Sequence, residues 1–396
     1  AFSLALISKY SCVFLFPILV AVGAAYAYSA SPVRLWRGGE QGWQLMAGRW
    51  RKVGAALGLM LVASLVALVV IWGSYKFRYY VSDGPITSNM INRHDSRIID
   101  WQLARKKIGG IVYPVRIVHS LQLVPEGYIY GFYHILDGSR WRPSFLLGNY
   151  SNTGWRYYFL ATFLVKTPIP LMLLIVLGAV LIRRYGGGLA VEAMLLLPVL
   201  LYWGVALSTR MNIGHRHLLP IYPFLIVFAS KVGRAFDRPR PRWLAAVCAV
   251  LIGWNAVEAA KVYPHYLAYF NQIAGGPSGG YRWLVDSNLD WGQDLKGLAR
   301  YWREHREEPL YISYFGMAEP GYYGIQANFL PIFPARSVGN DVGYGQVPSG
   351  ALVAVSASNL QCLYNNKPEV EQFMQRLRAL KPVAEIGYSI KIYRYP

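Results

Sequence analysis

Apolar residues in this 396-residue chain collect into six long runs, at about 3–28, 54–74, 159–182, 188–207, 217–231 and 243–262, separated by polar stretches rich in arginine. Most of them approach the ~20 residues that an α-helix needs to cross a hydrocarbon layer of ~30 Å, and the fifth is the shortest. After residue 263 the pattern changes. The runs Leu310–Phe315 and Ala351–Ser356, bounded by Gly, Pro and Asn, predict buried strands. Helical spacing returns over 291–306 and 367–380, where Phe373, Leu377 and Leu380 share a face, and 386–395 predicts a terminal hairpin or bent strand. The expected fold is an α-helical integral membrane protein with about six transmembrane helices over residues 1–262, followed by a small C-terminal α/β domain over 263–396.

Charge orients the helices. Residues 29–53 carry Arg34, Arg37, Arg49, Arg51 and Lys52 against Glu40; 183–187 opens on Arg183-Arg184; 231–242 carries Lys231, Arg234, Arg238, Arg240 and Arg242 against Asp237. Short basic connections stay in the cytoplasm, so the long loop 75–158, the short loop 208–216 and the domain after 263 are expected on the outer face. The composition, 54% hydrophobic and 15% charged, agrees with a membrane protein. Much of the basic excess behind the net charge of +20 falls in those connections, and nucleic acid is not an expected partner. Cys12, Cys248 and Cys362 supply neither a disulfide framework nor a metal clip. The chain opens Ala1-Phe2-Ser3-Leu4 inside an apolar run, and Lys9 and Pro17 argue against a cleaved signal, so the expectation is the C-terminal portion of a longer protein.

Charged groups at membrane helices are the first candidates for chemistry. Lys166, in Phe163-Leu-Val-Lys-Thr-Pro-Ile-Pro170, lies at the outer end of the third run, where its ammonium can meet a phosphate or snorkel to the interface. Arg210, His215, Arg216 and His217 crowd the short outer loop, and guanidinium and imidazole groups there suit a phosphate or pyrophosphate on a membrane lipid. Simple contact with lipid headgroups is the plainer explanation. A metal on His215 and His217 is the rival, but the loop has no carboxylate or cysteine to complete the site. The aromatic and amide-rich stretch Pro143–Tyr158 suits carbohydrate and equally an interfacial aromatic belt, while 96–108 and 115–123 read as amphipathic segments, with Arg105, Lys106 and Lys107 towards headgroups. Asp286, Asn288 and Asp290 mimic the start of a calcium loop, yet Trp291 stands where that loop needs Gly and Gly297 where it needs Glu. The plainer reading is a helix start, capped by Ser287 or Asp290 with Asp294 in the first turn.

Phe145-Leu-Leu-Gly148 with Gly154-Trp155 and Tyr157-Tyr158, Phe163–Pro168, Gly214–Pro223, Tyr269–Pro277 and Asp286–Leu295 together resemble bacterial family 39 glycosyltransferases, multi-spanning GT-C-fold enzymes related to protein O-mannosyltransferases. The resemblance implies an enzyme of the bacterial inner (plasma) membrane that moves a sugar, mannose being one candidate, from a polyprenyl-phosphate donor to a protein or lipid acceptor on the outer face. It also implies a catalytic acidic residue in a first outer loop, which has no counterpart here, so the catalytic residue is unknown. No cofactor is assigned, and a divalent metal stays open. Lys166, Arg210, His215, Arg216 and His217 are the residues expected to contact the lipid-linked phosphate. A transporter or flippase, or a membrane-anchored binding module, are the alternatives; few charges lie within the runs and no inverted repeat is visible, which weighs against transport.

Overall fold

The computed structural model describes residues 1–29, 32–36, 43–80, 112–138, 142–210, 212–236, 242–331, 342–365 and 367–396. The expected surface segment 96–108, with Arg105, Lys106 and Lys107, lies outside them, as does most of Arg238–Arg242. The chain is mostly helical with small sheets. It divides into two compact units, Ala1–Trp141 with Gly186–Val205, and Arg142–Tyr185 with Ala206–Pro396.

Among the described residues four helices are long and apolar enough to cross a membrane: Tyr10–Tyr28, Arg49–Ser74, Ala190–Ser208 and Arg242–Val262. They match the first, second, fourth and sixth apolar runs. Lys9, extended at φ −156°, separates the short helix Phe2–Ser8 from the first of them. The third run is not one straight helix. Tyr158–Lys166 and Ile169–Val180 meet at 107°, because Pro168 forces the residue before it out of the α region and Thr167 is extended. The fifth run falls short for the same class of reason: Pro220 and Pro223 leave a 3₁₀ turn, His215–Ile221, and only nine residues of α-helix, Tyr222–Ser230.

In the first unit the helices Phe2–Ser8 and Leu15–Tyr28 pack on Arg49–Ser74. The strands β1 (Val33–Trp36) and β2 (Trp43–Met46) pair antiparallel in the basic connection. The buried Lys52 donates from Nζ to the Ser29 carbonyl at 2.8 Å. The expected surface segment 115–123 contributes to helix Val112–Ser120, which with Glu126–Gly138 buries Val115, Val124, Ile129 and Tyr133 against Ile71.

In the second unit a short hairpin, β3 (Ser144–Leu146) and β4 (Asn149–Ser151), precedes the bent helix pair. Ile169–Val180 packs on Tyr222–Ser230 and Arg242–Val262 through Leu174, Ala229, Leu244, Cys248 and Leu251. The tail carries the expected α/β arrangement: β5 (Leu310–Ser313), β6 (Asn328–Phe329), β7 (Leu352–Ser356), β8 (Ala384–Ile386) and β9 (Ile390–Arg394), in the order β6-β5-β7-β9-β8. β5 is parallel to β6 and β7, and β9 antiparallel to β7 and β8. β5 and β7 are buried throughout, which is why they read as unbroken apolar runs. Leu295, Leu298, Ala299 and Trp302 form the apolar stripe of the helix Leu295–Glu304, and Val370, Phe373, Met374 and Leu377 that of Pro368–Ala379.

The bend at Thr167–Pro168 strands carbonyls that no helical N–H can reach. Asn271, fully buried, collects them: its Nδ2 donates to Leu164 O at 2.6 Å and Thr167 O at 2.8 Å, its backbone N–H to Val165 O at 2.9 Å, and its Oδ1 accepts from Ile273 N at 3.0 Å. Replacement Asn271→Leu leaves two buried acceptors unmet and is expected to lower stability by on the order of 3 kcal/mol. Asn271→Asp keeps the acceptor but loses both donors and should fall with it. Thermal unfolding in detergent checks this; a melting temperature equal to wild type in both variants refutes the cap.

Candidate functional site

The segments that carry the family resemblance meet within the second unit. Residues 284–290 form an unbroken buried stretch, and Asn288 within it ties two other segments, the 213–215 loop and the helix Tyr158–Lys166, together. Its Oδ1 accepts from His215 N at 2.8 Å, its Nδ2 donates to Tyr158 OH at 2.9 Å, and its carbonyl accepts from Lys166 Nζ at 2.6 Å. Ser287 donates its hydroxyl to Ile213 O. That approach needs Gly214, since a β-carbon there would collide with Ser287 Oγ.

Each residue of Tyr269-Phe-Asn-Gln272 has a separate task here. Tyr269 OH and Gln272 Nε2 donate to Glu258, at 3.4 and 2.7 Å, near the end of the helix Arg242–Val262; Trp254 Nε1 donates to the same carboxylate at 3.2 Å. Phe270 lies under the Lys166 ammonium at 4.1 Å, and Asn271 caps the broken helix.

The five residues expected to meet a phosphate separate into two groups. Lys166 is drawn inward: besides Asn288 O it donates to Leu267 O at 2.8 Å. His215 is buried, with Nε2 2.7 Å from Tyr222 OH, and that hydroxyl lies 2.5 Å from Thr167 Oγ1. Burial, with the Lys166 charge added, pushes the His215 imidazole down to about 3, so it is neutral at physiological pH. The His217 ring packs edge-on to Phe159. Arg210 and Arg216 are exposed. The Arg216 guanidinium lies over the Trp291 ring at 5.2 Å, and that indole is itself 52% exposed. No group of three or more His, Cys, Asp or Glu able to hold a metal occurs among the described residues.

The three aspartates of the 286–294 stretch do not cap a helix. Helix Leu295–Glu304 starts four residues later than expected, and Asp294 at its N-cap makes no side-chain cap bond. Its carboxylate instead accepts from Ser389 Oγ at 2.7 Å and pairs with His265 Nδ1 at 3.1 Å. Ser287 and Asp290 lie outside the helix altogether; the loop between is closed by Gly292, at φ +73°, whose N–H donates to Asp290 Oδ1 at 3.0 Å. Asp286 occupies the left-handed region at φ +56°, which a short polar side chain tolerates. Its Oδ2 accepts from Tyr364 OH at 2.5 Å, and the charges of Arg142 and Arg216 act on it. Burial nevertheless pushes its pKa up from the ordinary carboxylate value. Arg142, Tyr364 and Trp291 were not legible as site residues, because only the fold brings them beside Asp286 and Arg216.

Compared with protein-family models, curated proteins and solved structures, the chain matches none.

Asp290 is fully buried and its Oδ2 has no hydrogen-bond partner among the described residues. Burial pushes its carboxyl from 3.8 up to about 8, with the charge of Asp294 contributing. Between those values the folded chain retains a proton that an unfolded aspartate releases, so this group makes stability fall as pH rises through the window. Asp290→Asn removes the titration and keeps the shape. The variant is expected to gain stability relative to wild type steadily from pH 4 to 8; parallel melting curves across that range would show that Asp290 ionises freely.

Proposed function

We propose that the chain is the C-terminal portion of a membrane glycosyltransferase similar to bacterial family 39 enzymes. It moves a sugar from a polyprenyl-phosphate donor to a protein or lipid acceptor on the outer face of a bacterial inner membrane, with the sheet domain outside. Four apolar helices of spanning length and the basic short connections support the membrane placement.

The observation that carries the reading is the exposed Arg216 on the exposed Trp291, directly after the buried Asn288 junction. An indole at a membrane–water interface with a guanidinium stacked on its face leaves the N–H edge of the guanidinium to meet a phosphate with two parallel hydrogen bonds. The guanidinium groups of Arg216 and Arg210 make no hydrogen bond to the described residues and are exposed, so both are available to an anion. In this reading Lys166, His215 and His217 shape the loop from behind, while Arg210 and Arg216 hold the phosphate as negative charge grows on it during sugar transfer. The acceptor hydroxyl gives its proton to a base that we do not assign.

In the full-length enzyme, Arg216→Ala and Arg210→Ala are each expected to lower kcat/KM for the lipid-linked donor by roughly 10- to 100-fold, the loss of a charge-assisted hydrogen bond. Arg216→Lys restores charge without the bidentate fork and should recover only part. Donor kinetics equal to wild type in both alanine variants would remove these residues from the site.

A further inference from the structure

A cleft in the same unit, about 630 Å³ in volume, is lined by Tyr150, Tyr281, Arg282, Gln361, Cys362 and Arg378 with their neighbours, and neither Arg216 nor Trp291 lines it. Its size is that of an ordinary small-ligand site.

One wall is preorganised. The β3–β4 hairpin turns through Leu147 and Gly148, both at positive φ (52° and 78°), as a two-residue hairpin turn demands. Leu147 N–H donates to Trp283 O at 3.0 Å, locking the tip onto the segment that carries Arg282. Tyr150 stands on this wall 38% exposed, its hydroxyl donated to Asn152 Oδ1 at 2.6 Å, so the ring is fixed and a face is open.

The polar groups leave a definite remainder. Arg378 is consumed by Glu371 and by Leu360 O at 2.8 Å. Gln361 donates Nε2 to Tyr281 O at 3.2 Å, which leaves its Oε1 as an acceptor. Arg282 uses only Nε, on Tyr281 OH at 3.3 Å, and its outer N–H pair has no hydrogen-bond partner among the described residues. The cleft therefore offers one uncompensated guanidinium fork, one amide acceptor and one aromatic face. Its thiol is inert: burial and the Glu371 carboxylate push Cys362 up to about 12, so it stays protonated and recognition rather than covalent chemistry suits the place.

We propose that this cleft binds an acidic saccharide, with a carboxylate on the Arg282 fork, a sugar hydroxyl donating to Gln361 Oε1 and a pyranose C–H face packed on Tyr150. Arg prefers planar, two-oxygen anions, and sugar rings present hydroxyls at the edge and C–H groups on the face, so the three groups match one ligand chemistry. The site is independent of sugar transfer: binding needs no donor, and either reading can fail alone.

Calorimetric titration of the full chain in detergent with α-1,4-linked trigalacturonate, and with its fully methyl-esterified counterpart, tests the proposal. Saturable binding of the acid is expected, weakened roughly 10- to 100-fold by esterification and by Arg282→Gln. Tyr150→Ala should weaken it as well, and because Arg282 and Tyr150 are exposed, both variants should melt as wild type does. Absence of saturable binding, equal binding of acid and ester, or an Arg282→Gln variant that binds as wild type each overturns the proposal. Displacement by inorganic phosphate at the same concentration as the saccharide would also overturn it, since a bare anion would then account for the binding.

Discussion

The second unit depends on the accommodation of a broken helix. When Pro168 ends the helix Tyr158–Lys166, the carbonyls of Leu164, Val165 and Thr167 lack helical donors, and Val165 and Thr167 are buried. Asn271 supplies all three hydrogen bonds, two from its side chain and one from its backbone. That requirement holds the 265–274 segment against the bend, and with it Leu267 and Phe270, which receive the Lys166 ammonium. The ammonium in turn binds the Asn288 carbonyl and so draws the 284–290 stretch onto the same point. One proline thereby organises the bend itself and two later segments, 265–274 and 284–290.

This chain of dependence decides what could be read in advance. Elements whose periodicity reflects their own packing were legible: the stripe Leu295, Leu298, Ala299 and Trp302, the stripe Val370, Phe373, Met374 and Leu377, and the apolar runs of β5 and β7. Hydropathy alone passed over the breaks within two runs. It registers Pro168, Pro220 and Pro223 as mildly apolar or neutral and is blind to their missing N–H groups and fixed φ, so two runs looked continuous. The start of helix Leu295–Glu304 was misjudged for a related reason. Ser287 and Asp290 are good caps in isolation, but a tertiary partner, Ile213 O, takes the Ser287 hydroxyl, and a local turn closed by Gly292 N–H takes the Asp290 carboxylate.

The crowding of cationic residues in the 208–217 loop was readable, but where each of them packs was not. His215 and Arg216 are adjacent, and one is buried against Tyr222 while the other lies exposed over Trp291. Nothing local to the loop separates them. What separates them is Asn288, whose Oδ1 takes the His215 N–H and fixes which way the loop turns. Lys166 shows the same limit from the other side: a lysine at a helix end is equally suited to a phosphate and to backbone carbonyls, and the carbonyls of Leu267 and Asn288 lie within reach.

The stretch Asp286–Asp294 is where these constraints concentrate. Three carboxyl groups are buried in a chain with net charge +20, and among the described residues none makes an ion pair with a lysine or arginine. Asp286 leans on Tyr364, Asp294 on Ser389 and His265, and Asp290 on a single backbone N–H. Hydroxyl and amide donors hold a carboxyl in place without demanding that it be ionised, so burial is free to raise the pKa values, most of all for Asp290. Such a stretch keeps its shape by geometry rather than by charge. It then delivers Trp291 to the surface beneath Arg216, so the rigidity of the buried half is what positions the exposed half.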